Sequence, residues 1–329
     1  MSFEVFQFID SAIQPAKKNI FSIVGLTATG KTNLAFSLAG HILATHPEFS
    51  RVDIISADSR QIYEDIPVVS GADVPSNFMA VGQNDLEKGF EHPYFKDGNI
   101  YFHGVSMLSA MQEWSVAHFQ HFAQTILRHS WEQNGCVIVV GGTGLYHAHL
   151  FNEELLDQPG PSEEVRAQIA DEDLESLQRF VQKQAPEKWS EMNQSDRNNT
   201  RRLVRVLEQT SVADEENQNI QTTLTYPDVH KTLYLSSDLD SIVEKISRRV
   251  DSRIQSGALS EIEAVVSKYE DKKIPQMMTA TGVRELLAVV NETLSLDQAK
   301  EKWIQRERKY AKQQKTWWKS HEVDFELEV

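Results

Sequence analysis

Apolar residues along this chain fall into two kinds of run. Short, nearly continuous runs bounded by turn residues occur at 20–24, 52–56, 137–140 and 232–235, with a weaker one at 100–105. Such runs predict strands buried on both faces. Between 114 and 131 the spacing becomes helical, with Val116, Phe119, Phe122, Ala123, Ile126 and Leu127 on one stripe. Residues 66–99 carry Gly, Pro and Asn without a period and predict loop with a short helix. Strands that alternate with helices imply a parallel sheet covered on both faces, with ligands at the carboxyl ends of the strands.

From 151 to about 199 the strand pattern disappears. Pro159-Gly160-Pro161 breaks the chain, and the stretches 162–169 and 174–184 predict helices. Residues 211–228 are polar and patternless and predict loop. From 242 onward the pattern predicts helix after helix, at 242–255, 260–268, 283–290 and a long basic one from 296 to about 319.

The first apolar run leads into Gly25-Leu26-Thr27-Ala28-Thr29-Gly30-Lys31-Thr32, which fits the phosphate-binding pattern G-x-x-x-x-G-K-[ST]. Residues 33–39 then read as an opening helix, so the strand–loop–helix setting is present. In such a loop consecutive N–H groups point at one anion, and the helix N-terminus adds partial positive charge. Lys31 can reach a terminal phosphate, and the Thr32 hydroxyl can ligate magnesium. The expected fold is therefore α/β: a P-loop NTPase-like parallel sheet core flanked by helices, with a helical insertion domain. Its expected parts are an N-terminal extension at 1–18, a core made of 19–152 and 200–329, and the insertion at 153–199.

Directly after the second run comes Ser56-Ala57-Asp58-Ser59-Arg60-Gln61-Ile62-Tyr63. Asp58 is placed at the carboxyl end of a strand beside the phosphate loop. A carboxylate there can accept a proton or hold a magnesium-bound water. It can equally serve as a helix cap. After the third run, Gly141-Gly142-Thr143-Gly144-Leu145-Tyr146 forms a second tight turn into a helix.

Composition narrows the class. The chain has 329 residues, of which 40% are hydrophobic and 25% charged, as in soluble globular proteins. No apolar run approaches the length of a membrane span. The first 16 residues contain Glu4 and Asp10 and no basic residue, unlike a secretory signal. The single cysteine, Cys136, leaves no internal disulfide or cysteine zinc site and falls in a strand pattern, so it reads as a small buried hydrophobe. A reducing, cytoplasmic setting is expected.

The net charge of −15 opposes nucleic-acid binding at long range, yet binding depends on local patches. Arg197, Arg201, Arg202 and Arg205 lie within nine residues that contain no acid. Residues 302–319 hold seven basic residues against one acid, Glu307. Each patch can also be simply a solvated helix face. Trp317 and Trp318 read as packing residues rather than base-stacking platforms.

Together these segments resemble the tRNA dimethylallyltransferases, also called tRNA isopentenyltransferases. The resemblance rests on GLTATGKT (25–32), ISADSRQIY (55–63), WSVAHF (114–119), VGGTGLY (140–146), RNNTRRLVRVLE (197–208) and ERKYAKQQKTWW (307–318), in family order. It implies that Gly25, Leu26, Thr27, Ala28, Thr29, Gly30, Lys31 and Thr32 hold the diphosphate of dimethylallyl diphosphate. Magnesium is the implied cofactor, with Thr32 as its ligand, and Lys31 and Thr32 take part in catalysis. The exocyclic amino nitrogen of an adenosine beside the tRNA anticodon attacks the first prenyl carbon. Asp58 matches the family's general base. Asp58, Ser59, Arg60, Gln61 and Thr143 match positions that contact the flipped-out adenosine, and Arg201, Arg202 and Arg205 match a tRNA-contacting stretch. The helical insertion would clasp the anticodon stem.

The expected partners are tRNA and dimethylallyl diphosphate, without a membrane, and the chain is expected to act as a monomer. Three departures stand out. The family's G-T-A-K-P segment reads Gly71-Ala72-Asp73-Val74-Pro75 and lacks its lysine, its paired histidines are reduced to His103, and Val283 replaces a tyrosine. Alternative readings are an adenylate isopentenyltransferase that acts on a free nucleotide, a P-loop kinase or NTPase, and a tRNA-binding protein without turnover.

Overall fold

The computed structural model describes residues 3–153, 162–170, 172–211, 223–269 and 277–329. The chain divides into two compact units, one made of residues 1–151 and 224–329 and the other of residues 152–223.

The first unit is built on an eight-stranded sheet. Its strands are β1 (Asn19–Gly25), β2 (Arg51–Ser56), β3 (Met79–Val81), β4 (Tyr94–Asp97), β5 (Ile100–His103), β6 (Gly135–Val140), β7 (Val229–Ser236) and β8 (Phe325–Glu328). They lie in the order β3-β4-β5-β2-β6-β1-β7-β8. From β5 to β8 every neighbouring pair is parallel, whereas β3, β4 and β5 pair antiparallel. The central strands are buried on both faces, as their continuous apolar runs require. In β6, for example, Val137 and Val139 enter one core while Cys136, Ile138 and Val140 enter the other. Cys136 is fully buried, and burial pushes its thiol pKa up.

Helices α1 (Phe3–Ala12) and α2 (Lys31–Thr45) cover one face of this sheet, burying Val5, Ile9, Leu34, Leu38 and Ile42. The N-terminal segment is thus part of the packed core. Residues 66–99 hold more structure than their sequence suggests, with the short α3 (Pro67–Ser70) and the hairpin strands β3 and β4. Those strands are only three and four residues long, too short to display a period. Helix α4 (Val116–Glu132) buries Phe119, Phe122 and Ile126 on the opposite face, and α5 (Gly144–His149) follows β6.

The second unit contains α6 (Glu163–Gln168), α7 (Leu174–Gln184), α8 (Pro186–Glu191), α9 (Gln194–Arg197) and α10 (Thr200–Ser211). The sequence assigned α10 to the core, but Leu203 and Leu207 of α10 are buried with Leu177 and Val181 of α7. The apolar stripe of α10 needs that partner, so the unit continues past residue 199. The Pro159–Pro161 break lies outside the described residues, as does most of the 211–228 loop.

The chain then returns to the first unit with α11 (Leu239–Gln255), α12 (Ala258–Tyr269), α13 (Val283–Val290) and α14 (Leu296–Lys319). They complete the core on the α4 face through Ile242, Ile246, Ile262, Leu286 and Trp303. Helix α14 buries the stripe Ala299, Trp303, Glu307, Ala311, Gln314 and Trp318. Trp318 packs with Val24 and Tyr234, and Trp317 joins this cluster half-buried, stacked on His321 at 4.7 Å. No helix among the described residues is long and apolar enough to cross a membrane.

Candidate active site

The phosphate loop leaves the end of β1 and enters α2 through Gly30, whose φ of 81° is left-handed and suits a residue without Cβ. Ala28 shares that region at φ 63°. The Thr29 hydroxyl donates to the Leu26 carbonyl at 2.7 Å, and Lys31 Nζ donates to the same carbonyl at 2.5 Å. Burial lowers the Lys31 pKa to about 7, helped by the nearby Arg249 and opposed by Asp58.

Beside the loop lies a cavity of about 480 Å³. Thr27, Ala28, Gly30, Lys31 and Thr32 form one part of its wall. Gly25, Leu26 and Thr29 are not on the wall and instead shape the loop, with Leu26 fully buried. Asp58, Ser59, Arg60 and Gln61 form a second part, after β2. Asp58 Oδ1 accepts from the backbone N–H of Arg60 at 2.8 Å and of Gln61 at 3.4 Å. The carboxylate therefore caps its own turn and also lines the cavity. Gln61 is held at both ends, accepting from the Ser56 hydroxyl at 2.9 Å and donating to the Gly71 carbonyl at 2.8 Å.

Thr143 is not on the wall. It reaches the site through Tyr310, whose hydroxyl is hydrogen-bonded by the side chains of Thr143 and Gln314. Burial, reinforced by the Asp58 charge, pushes the Tyr310 pKa up to about 12, so the phenol stays neutral.

Much of the remaining wall comes from α11 and from residues 279–281, which the motifs did not cover, and from α14, whose motif was noted without a site role for its residues. Lys245, Arg249 and Arg253 project from α11, four residues apart, with Thr279, Ala280 and Thr281 beside them. Glu307, Tyr310 and Gln314 come from α14. Gln314 bridges the two glycine turns, accepting from Thr27 N–H at 2.7 Å and donating to the Gly142 carbonyl at 3.1 Å. Two signals were present in the sequence. The cations on α11 recur at helical spacing, and Glu307 and Gln314 fall on an otherwise apolar stripe of α14.

Beside residues 71–75, which lack the lysine, a cation comes from another element. Arg253 donates to the carbonyls of Val69 at 3.0 Å and Ser70 at 3.4 Å. A Cβ on Gly71, whose φ is 69°, would collide with that guanidinium. Burial, then Arg249, lower the Arg253 pKa to about 10, leaving it charged at neutral pH. The wall holds five basic side chains, Lys31, Arg60, Lys245, Arg249 and Arg253, against Asp58, Asp73 and Glu307. An acidic chain thus presents a locally positive cavity.

Arg201, Arg202 and Arg205 belong to the second unit. Arg202 is ion-paired with Asp196, and Arg205 with the buried Glu208 at 3.4 Å. Arg201 is exposed and has no ion pair among the described residues. Arg197 stacks on Trp189 at 4.6 Å.

Magnesium favours oxygen donors and is usually bound by one or two protein groups together with substrate phosphates. The Thr32 hydroxyl and the Asp58 carboxylate line one cavity and fit that donor set. No cluster of three or more His, Cys, Asp or Glu suited to a metal occurs among the described residues.

Comparison with known proteins converges on one family. The family model described as IPP transferase matches residues 94–321, more than half of the chain. The tRNA dimethylallyltransferase of an Exiguobacterium strain is 29% identical over 316 residues, covering 94% of this chain and 89% of the relative. That of Bacillus subtilis is 29% identical over 313 residues, covering 92% and 88%. Among solved structures, the full-length tRNA isopentenylpyrophosphate transferase of Bacillus halodurans superposes with a TM-score of 0.60 at 22% identity, covering 95% of this chain and 90% of its own. A eukaryotic dimethylallyltransferase acting on tRNA gives 0.63 at 21% identity, with coverage of 91% and 69%. The chain belongs to the IPP transferase family.

Proposed function

We propose that this protein transfers a dimethylallyl group from dimethylallyl diphosphate to the exocyclic amino nitrogen of the adenosine beside the anticodon of tRNA, releasing diphosphate. The observation that carries the reading is a single cavity whose wall includes both Lys31 and Asp58. Its support from relatives is the name tRNA dimethylallyltransferase, shared by proteins that align with more than nine-tenths of the chain.

In this reaction the bond between the first prenyl carbon and the diphosphate oxygen breaks, and a carbon–nitrogen bond forms. Negative charge grows on the leaving oxygens, where loop N–H groups, Lys31 and the α11 cations stabilise it. Magnesium held at Thr32 would neutralise further charge on the diphosphate. The attacking amine must lose a proton, and in this reading Asp58, whose carboxylate is fixed by two backbone N–H groups, accepts it. The adenine must leave its stack to enter the cavity, whose wall includes Ser59, Arg60 and Gln61. The exposed Arg201 of the second unit offers a contact for the tRNA backbone, with Arg202 and Arg205 beside it. The reading carries with it a cytoplasmic monomer.

The test is to supply labelled dimethylallyl diphosphate and magnesium with unmodified tRNA or with AMP, and to follow phosphate release from ATP separately. Label in tRNA alone is the expected result. Label in AMP would move the assignment to a nucleotide prenyltransferase, and phosphate from ATP to a kinase or NTPase.

A further inference from the structure

We propose that Glu307 is a positioning residue for the prenyl diphosphate, converging the guanidiniums of Arg249 and Arg253 on the phosphate-loop cavity. This inference rests on the reading that the cavity receives a diphosphate.

Glu307 is only 2% exposed and sits on the apolar stripe of α14 between Trp303 and Ala311. An unpaired carboxylate there would carry a large desolvation penalty. Four donors surround it instead. Arg249 is ion-paired to Oε2, while Oε1 accepts from Arg253 Nη1 at 3.3 Å, Thr281 Oγ1 at 3.2 Å and Trp303 Nε1 at 3.1 Å. The two arginines hold the carboxylate ionised against the opposing effect of burial.

Both arginines also serve the cavity. Arg249 Nη2 donates to the Thr27 hydroxyl of the phosphate loop at 2.6 Å, and Arg253 is fixed to the Val69 and Ser70 carbonyls. Two guanidiniums this close repel, and each destabilises the charged form of its neighbour. A carboxylate shared between them lets both stay charged and adjacent. A staple serving only to pack α11 on α14 would have no reason to open onto the cavity, yet Arg249, Arg253 and Glu307 all line it.

The test compares inorganic diphosphate binding by calorimetry, and KM for dimethylallyl diphosphate, in the wild type and in Glu307→Gln. The amide oxygen can still accept from Trp303 and Thr281, so mainly the charge is lost. Diphosphate binding should weaken at least about tenfold, and the KM should rise in step. Affinity for tRNA should stay within about twofold. In an Arg249→Gln/Arg253→Gln background, Glu307→Gln should add no further loss of diphosphate affinity, because its effect runs through those side chains.

Equal or tighter diphosphate binding by Glu307→Gln overturns the proposal, as does an undiminished loss in the double-arginine background. If Glu307→Gln does not fold, Glu307→Asp decides. Withdrawing the carboxylate by one methylene should weaken diphosphate several-fold, and wild-type affinity would overturn the idea. A wild-type protein that fails to bind diphosphate removes the reading of the cavity itself, and this inference with it.

Discussion

The arginines of the cavity and those of the second unit are held in opposite ways. Around the cavity, the side chains of Arg249 and Arg253 are only 26% and 11% exposed, and a buried carboxylate holds both. In the second unit the Arg202 side chain is 59% exposed and is answered by Asp196 of the same unit. Low dielectric makes the first arrangement strong and fixed. Solvent and salt make the second weak and adaptable. A small, highly charged leaving group needs preorganised partners, whereas a long polyanion is served by contacts that can adjust.

The largest effect should come from the cavity. Asp58→Asn is expected to lower prenyl transfer by about 10²–10⁴-fold while diphosphate affinity changes by no more than a few-fold. Single-turnover transfer and diphosphate titration measure the two quantities. Unchanged turnover would take Asp58 out of the proton-accepting role and leave it as a cap.

A smaller effect should follow pH. The ammonium form of Lys31 binds an anion, and its pKa in the free protein is about 7. Below that value the charge is already present. Above it, binding must first recover a proton, so affinity should fall by up to about tenfold per pH unit. Calorimetry in buffers of different ionisation enthalpy should detect proton uptake above pH 7. Lys31→Arg, whose guanidinium stays charged, should abolish that component, and its persistence would place the titrating group elsewhere.

The smallest effects belong to the second unit. Arg201→Ala should weaken tRNA binding and reduce the magnitude of its log–log salt slope by about one. Arg202→Ala should change the slope less, since Asp196 already neutralises that side chain in the free protein. A larger effect from Arg202 than from Arg201 would show that the pair opens for RNA, and the contrast between the two regions would narrow.

Local pattern was enough to read the central strands, α4, α7, α13 and α14, because each buries a face whose period depends only on neighbouring residues. The phosphate loop and the strand-end position of Asp58 were legible for the same reason: a strand, a turn and a helix start are contiguous in the chain. Strands β3, β4 and β8 were not, being short strands at or next to the sheet edges, stabilised by their pairing rather than by a stripe of their own.

Sequence by itself determined the α/β class, the strand–loop–helix motif at 25–32 and the family resemblance, all of which reside in contiguous residues. Only tertiary structure decided that Arg253 packs over Gly71, that Gln314 ties two glycine turns together, and that Glu307 gathers two arginines. Those contacts join residues more than fifty positions apart. A charge's role there depends on its distance from other charges and its removal from water, and neither quantity is a property of the local sequence.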